Sequence, residues 1–240
     1  MQRQERKVAV EIVRGAFAAL RLPLSWAAGL PRAAAVLLHR TRSPEARSAS
    51  AARAKFDTTR WSLELLKHLE WRRFEELCAA YFEALGFSAQ ISHSRSGGAV
   101  DIGLCAAGAD RAAILVHCQA WNAYRIGAKP VRELRAAMTS AGATEGVLVT
   151  SSRFTQEAVA LAARENIQLI DGAAFLAKLA ALAPEKTRGL LEFATEGDFL
   201  TPTCPRCSIK MASRRSTHEG RRFWGCPNYP RCKQTLYSTP

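Results

Sequence analysis

The 240-residue sequence lacks an apolar run long enough to cross a membrane. Its apolar stretch from Leu22 to Leu38 is interrupted by Pro31 and Arg32, and neither half approaches the ~20 residues that a spanning helix needs. No cleavable secretory signal is apparent, and although a disulfide framework is the alternative reading of the seven cysteines, a chain long enough for a full core does not need one. Four cluster near the C-terminus, while Cys78, Cys105 and Cys118 sit inside apolar runs, as small core residues do. These absences exclude most secreted and membrane classes and point to a reducing compartment, the cytoplasm. Acidic residues are scarce at both ends. Residues 1–60 carry 12 Lys/Arg against 4 Asp/Glu, residues 200–240 carry 8 against 1, and residues 61–199 are nearly neutral at 14 against 16. The net charge of +13 therefore lies on two basic ends around a neutral body, which suits a polyanion rather than a small-molecule substrate.

The clustered cysteines carry the sharpest signal. Cys204 and Cys207 are separated by two residues, Cys226 follows after eighteen, and Cys232 after five more. Two close pairs can each grip one side of a tetrahedral Zn²⁺ through thiolates, with the connecting segment returning the chain to complete the site. Around them lie Lys210, Arg214, Arg215, Arg221, Arg222, Arg231 and Lys233, interleaved with Phe223, Trp224 and Tyr229. Cations meet phosphates and aromatic faces stack on bases, so these ten residues are the candidate DNA contacts. A base-reading helix is missing, which fits single-stranded DNA better than base-edge readout in a duplex, although both remain partners.

The chain divides into four parts. Residues 1–60 read as a basic helical extension and linker: Val8, Ile12, Val13, Phe17 and Leu20 recur at helical spacing, and Thr41 to Asp57 is rich in Ser, Ala and Arg. A membrane-lying amphipathic segment is the lesser reading of that extension. Residues 61–183 form the main body, 184–202 a second linker, and 203–240 the small zinc-ribbon-like module. In the body, Phe74, Leu77, Cys78, Tyr81 and Leu85 share a helical face that stops at Gly86. Short β-like runs follow at Ser88–His93, Val100–Cys105 and Ala112–Gln119, separated by turn compositions at 95–98 and 106–110. Next come a helix from Pro130 to about Ala141, a strand at Gly146–Thr150, a helix at Thr155–Glu165, a strand at Ile167–Ile170 and a helix at Ala173–Leu182. The expected fold is α/β, a mixed sheet flanked by helices on both sides.

Polar residues gather where these strands begin and end. Asp101 enters a strand after Gly97-Gly98-Ala99-Val100, and His117 and Gln119, two apart, share a face at the end of the next. Glu75 stands at the border of the first helix's apolar face, within reach of a site beside the sheet, whereas Glu76 points away from the core. Trp121 would plug the core below the site.

Five short motifs occur in order: Trp71-Arg72-Arg73-Phe74-Glu75-Glu76-Leu77, Gly98-Ala99-Val100-Asp101-Ile102, Val116-His117-Cys118-Gln119-Ala120-Trp121, Gly146-Val147-Leu148-Val149-Thr150-Ser151 and Leu169-Ile170-Asp171-Gly172. Together they resemble the Mrr catalytic domain, a restriction-endonuclease-like family with a PD-(D/E)xK core, over about Phe74 to Leu182. Separately, Phe223-Trp224-Gly225-Cys226-Pro227-Asn228-Tyr229-Pro230-Arg231-Cys232 resembles the four-cysteine finger of bacterial type I topoisomerases. The resemblance implies a restriction-endonuclease-like mixed sheet and a type IV restriction-enzyme-like hydrolase. Its chemistry would be Mg²⁺- or Mn²⁺-assisted hydrolysis of DNA phosphodiesters, with an Asp and a Glu or Gln holding the metal and a Lys assisting the water. Asp101 matches the metal-binding Asp. The family's Gln-x-Lys is His117-Cys118-Gln119 here, so the lysine is absent and Lys129 is the nearest candidate to replace it. Two classes therefore stand side by side: a metal-dependent endonuclease, and a DNA-binding protein that keeps the fold as a scaffold. Nucleases that cut both strands often pair two active sites, which adds a homodimer to the arrangements the resemblance allows.

Overall fold

The computed structural model describes residues 56–93, 100–105, 112–120, 125–216 and 220–237, with the side chains of His93, Val100 and Asp101 excluded. The amino-terminal extension, most of the first linker, the turns at 95–98 and 106–110 and the position of Trp121 lie outside the described residues.

Two helices lead into the sheet. The first, α1 (Leu63–His68), is capped by the Ser62 hydroxyl, which accepts from Leu65 N at 3.0 Å, worth about 1 kcal/mol. The second, α2 (Trp71–Ala84), is capped by the carboxylate of Glu70 and buries Phe74, Leu77, Cys78, Tyr81 and Phe82. It ends just before Gly86, whose φ of 95° turns the chain toward the first strand.

Strands β1 (Ser88–His93), β2 (Val100–Cys105) and β3 (Ile114–Gln119) form an antiparallel meander. Helix α3 (Ala128–Ala141) then crosses over to β4 (Glu145–Thr150), and α4 (Gln156–Arg164) to β5 (Ile167–Ile170), so β3, β4 and β5 are parallel. The sheet order is β1-β2-β3-β4-β5, the mixed α/β architecture expected. Gly142, with φ of 68°, closes α3, and Thr155 caps α4. Pro130 falls in the first turn of α3, where its missing N–H costs no hydrogen bond, and the helix starts two residues earlier than the proline alone suggests.

Leu115 and Leu148 pack with Val131, Leu134, Met138, Ala158 and Ala162, so α3 and α4 cover one face of the sheet. The alternate strand residues Val116, Cys118, Val147 and Val149, at most 1% exposed, face the other way. That face is covered by α2 and by α5 (Gly172–Ala180), which is capped by Asp171 and joined to α2 through the edge-to-face pair Phe74–Phe175, 5.9 Å between centroids. Tyr81 adds a second edge-to-face contact to Phe175 at 5.4 Å, each pair worth ~1 kcal/mol beyond burial.

The segment after the body departs from expectation. Instead of a linker throughout 184–202, residues Pro184–Thr195 form helix α6, with Pro184 in its first turn and Leu190, Leu191 and Ala194 buried. It packs along α2, where the Arg73 guanidinium donates to the carbonyls of Phe193 at 2.6 Å and Glu196 at 3.2 Å. The proline and two glycines there masked a helix whose apolar residues recur at 190, 191 and 194. Last come β6 (Ala212–Arg215), β7 (Arg222–Gly225) and β8 (Thr235–Tyr237), a three-stranded antiparallel sheet. Among the described residues no helix is long and apolar enough to cross a membrane.

Candidate functional site

Two chemically distinct places stand out, one in each sheet. In the small sheet, the ligand atoms of Cys204, Cys207, Cys226 and Cys232 all lie within 4.8 Å of one another, and Sγ of Cys204 and Cys232 are 3.8 Å apart. A tetrahedral Zn²⁺ with Zn–S bonds of ~2.3 Å has sulfur–sulfur edges of about 3.8 Å, so the donor set fits that ion. Burial and the three neighbouring thiols push the Cys226 thiol up to about 12, so four thiolates are compatible here only around a cation. Three of the four cysteines are buried, and Met211, Trp224 and Leu236 pack against them.

The register separates the two faces of this sheet. Ser213, Trp224 and Leu236 form one row, and Trp224 and Leu236 lie on the cysteines. The neighbouring row, Arg214, Phe223 and Tyr237, therefore faces away from the metal site. Arg214 is exposed, Phe223 is half-buried and Tyr237 is 83% exposed. A Cβ on Gly225 would stand 2.8 Å from Arg214 Cδ and 3.0 Å from its Nε, so the glycine lets the arginine lie flat across the strand. Tyr237 was not among the residues singled out from sequence, because its partners in the row are distant in the chain. Its signal was an aromatic in a short β-like end segment.

The other candidate contacts divide. Arg215, Arg221, Arg222, Arg231 and Lys233 are exposed, and Tyr229 is 67% exposed. Lys210 turns inward, its Nζ 2.9 Å from Glu70 Oε1 and 2.9 Å from the carbonyl of Thr201. Trp224, packed on the cysteines, builds the module rather than its outer face.

In the large sheet, Asp101 stands opposite His117 across β2 and β3. Gln119 stands opposite Thr150 across β3 and β4, and Thr150 Oγ1 donates to the Gln119 carbonyl at 2.8 Å. Because Leu115 packs under α3, strand alternation places His117 and Gln119 on that face, at the carboxyl end of β3. His117 is 5% exposed. Gln119 Oε1, Ser151 Oγ and Glu75 Oε2 are buried without a hydrogen-bond partner among the described residues.

Glu75 was expected at a helix border and is instead interior, 5% exposed. Burial, then the charges of Glu70 and Glu76, push its carboxyl up to about 8 against the pull of Arg72. All three charges belong to its own helix and cap. The register thus pairs Asp101 with His117, Gln119 follows two residues on along β3, and no described hydrogen bond joins Glu75 to His117 or Gln119. Glu76 points outward as expected and pairs with Arg72 and Arg73. Lys129, in the first turn of α3, is 81% exposed and lies 3.8 Å from Glu133.

Residues 66–179 match a family model described as "Restriction endonuclease", and residues 201–240 match one described as "Topoisomerase DNA binding C4 zinc finger". The larger domain is thus similar to restriction endonucleases, and the small module to the topoisomerase zinc finger. Two solved structures are similar. The MspJI restriction endonuclease in complex with a 27-mer oligonucleotide is 17% identical, with a TM-score of 0.37 over 75% of this chain and 41% of that one. The DNA modification-dependent restriction endonuclease AspBHI is 20% identical, with a TM-score of 0.37 over 68% and 43%. The chain spans about two fifths of the length of either. No curated protein matches it.

Two further cations lie at the carboxyl end of the parallel strands of the larger sheet. Arg125 and Arg153, both exposed, flank the bridge between Ile126 and Phe154, where Ile126 N donates to the Arg153 carbonyl at 2.8 Å. They line a groove of about 570 Å³ floored by Phe154, Ile167 and Leu169. Single arginines in a turn-like context gave no reason to select them from the sequence.

Proposed function

We propose that this protein binds DNA through its zinc finger and presents the strand to its restriction endonuclease domain. There Asp101, His117 and Gln119 would hold a divalent cation, Mg²⁺ or Mn²⁺, for phosphodiester hydrolysis. The observation that carries the DNA-binding part is the outward row Arg214–Phe223–Tyr237. A row of one cation and two aromatic side chains suits a stacked, phosphate-linked strand, and each base stack contributes ~1–3 kcal/mol. The unpartnered acceptor Gln119 Oε1, beside the register pair Asp101 and His117, supports a cation on the larger sheet. Such a cation would draw negative charge from the phosphate. An imidazole among its ligands favours Mn²⁺ over Mg²⁺. The protein's own groups orient the strand and exclude water from the buried end of β3.

One residue favours a second reading. Gln119 is neutral where the family has lysine, and loss of one preorganised charge costs ~10²–10³-fold in rate. Lys129 is exposed and beside Glu133, and Arg125 and Arg153 are the described cations flanking the bridge just beyond β3 and β4. In that reading the restriction endonuclease domain is a DNA-binding scaffold without catalysis. Supercoiled, methylated and single-stranded DNA incubated with the protein in Mg²⁺ or Mn²⁺ separate the two. Cutting that Asp101→Ala abolishes supports the enzyme. An inert wild type that gains nicking on Gln119→Lys refutes it and leaves the scaffold.

A further inference from the structure

We propose that Glu70 is a positioning residue that couples the zinc site to helix α2, so that bound zinc holds the first turn of that helix and the helix tightens the hold on zinc. Its carboxylate, with a side chain only 3% exposed, receives four hydrogen bonds. Oε2 accepts from Arg72 N at 3.2 Å and Thr203 N at 3.1 Å, and Oε1 from Thr203 Oγ1 at 2.8 Å and Lys210 Nζ at 2.9 Å. Two backbone-directed bonds join the same parts: Trp71 Nε1 donates to the Thr203 carbonyl at 2.8 Å, and Glu70 N to the Phe199 carbonyl at 2.9 Å. The first helical residue and the cap of α2 are thus both bound to the zinc finger or its lead-in.

The donors on the finger side are the residues that close the first metal-binding knuckle. Thr203 and Lys210 pair as an antiparallel bridge. Inside them, Cys204 N donates to the Ile209 carbonyl at 2.8 Å and Ser208 N to the Cys204 carbonyl at 2.9 Å. The loop so enclosed carries Cys204 and Cys207. A metal drawing those thiols toward Cys226 and Cys232 keeps the bridge shut and three donors aimed at Glu70. Without the metal the knuckle relaxes, and a buried carboxylate that loses its donors is costly, so the strain passes to the α2 cap. Linkage makes the effect reciprocal: whatever zinc contributes to the α2 cap, the cap contributes to zinc affinity. An apolar seam could join the two parts without this directionality, whereas a charge sharing donors from both sides requires one relative placement.

The inference rests on the four-cysteine site and is independent of DNA binding or cleavage, so its test uses the full-length zinc-loaded protein without DNA. Amide hydrogen exchange is read at Arg72–Phe74, at Thr203 and in β4 before and after zinc removal with a chelator. Zinc affinity is read by competition with a chromophoric chelator for wild type, Glu70→Gln, Lys210→Met and the double variant. Zinc removal is expected to raise exchange at Arg72–Phe74 while β4 stays protected. Glu70→Gln should weaken zinc binding on the order of ten-fold, with the double variant less than additive. Unchanged exchange in α2 after chelation, or equal loss in β4, overturns the proposal. So does wild-type zinc affinity in Lys210→Met, which is decisive should Glu70→Gln fail to fold.

Discussion

Glu75 offers the cleanest quantitative perturbation, Glu75→Gln. Its carboxyl is interior, one oxygen has no hydrogen-bond partner, and burial with two negative neighbours moves it from the ordinary 4.5 to about 8. The folded protein therefore keeps this proton where the unfolded chain releases it. Between pH 4.5 and 8 the folded state binds more protons than the unfolded, so stability falls as pH rises and levels off above about 8. Each pH unit across that window is worth about 1.4 kcal/mol, which totals roughly 5 kcal/mol before relaxation and water entry reduce it. Glutamine has the same shape and no charge to desolvate. The variant should match wild type near pH 4.5 and exceed it by about 2–5 kcal/mol at pH 8.5. Urea unfolding of both proteins at pH 5, 7 and 8.5, zinc-loaded and without other divalent ions, measures the difference, and the zinc contribution cancels between them. A gap that stays constant over this range would refute the buried, protonated carboxyl.

In the zinc finger, Tyr237→Ala should weaken single-stranded DNA binding by about 1–3 kcal/mol with zinc content unchanged, whereas Trp224→Ala should loosen zinc as well, since Trp224 lies on the cysteines. Fluorescence anisotropy and metal analysis on the same samples separate these effects, and equal zinc loss in both would contradict the two-faced sheet. Gly172→Ala drives a methyl into the Ser151 carbonyl and to 2.8 Å from Leu63 Cδ1, so a loss of about 1–3 kcal/mol is expected in thermal unfolding. Wild-type stability there would show that the close approach of α5 to the end of β4 is not tight.

Local patterns carried much of the fold. The stripe from Phe74 to Leu85 specifies α2 because residues three and four apart share a helix face, and the alternating end of β3 puts His117 beside Gln119 for the same geometric reason. The cysteine spacing pointed to a zinc site, because a short spacer within each pair fixes the reach of its two thiols. Helix α6 was the exception: Pro184, Gly189 and Gly197 read as punctuation, but the apolar residues between them found a surface on α2.

From the sequence alone came the mixed α/β sheet, the four-cysteine metal set and the basic ends, since each depends on residue type and short-range spacing. Only the tertiary structure decided that Glu75 is buried, that Lys210 grips Glu70 and that Tyr237 completes a row with Phe223 and Arg214. Burial, pairing and sheet register are set by residues far apart in the chain, and a side chain's chemistry follows from whether water, a donor or a ring stands next to it.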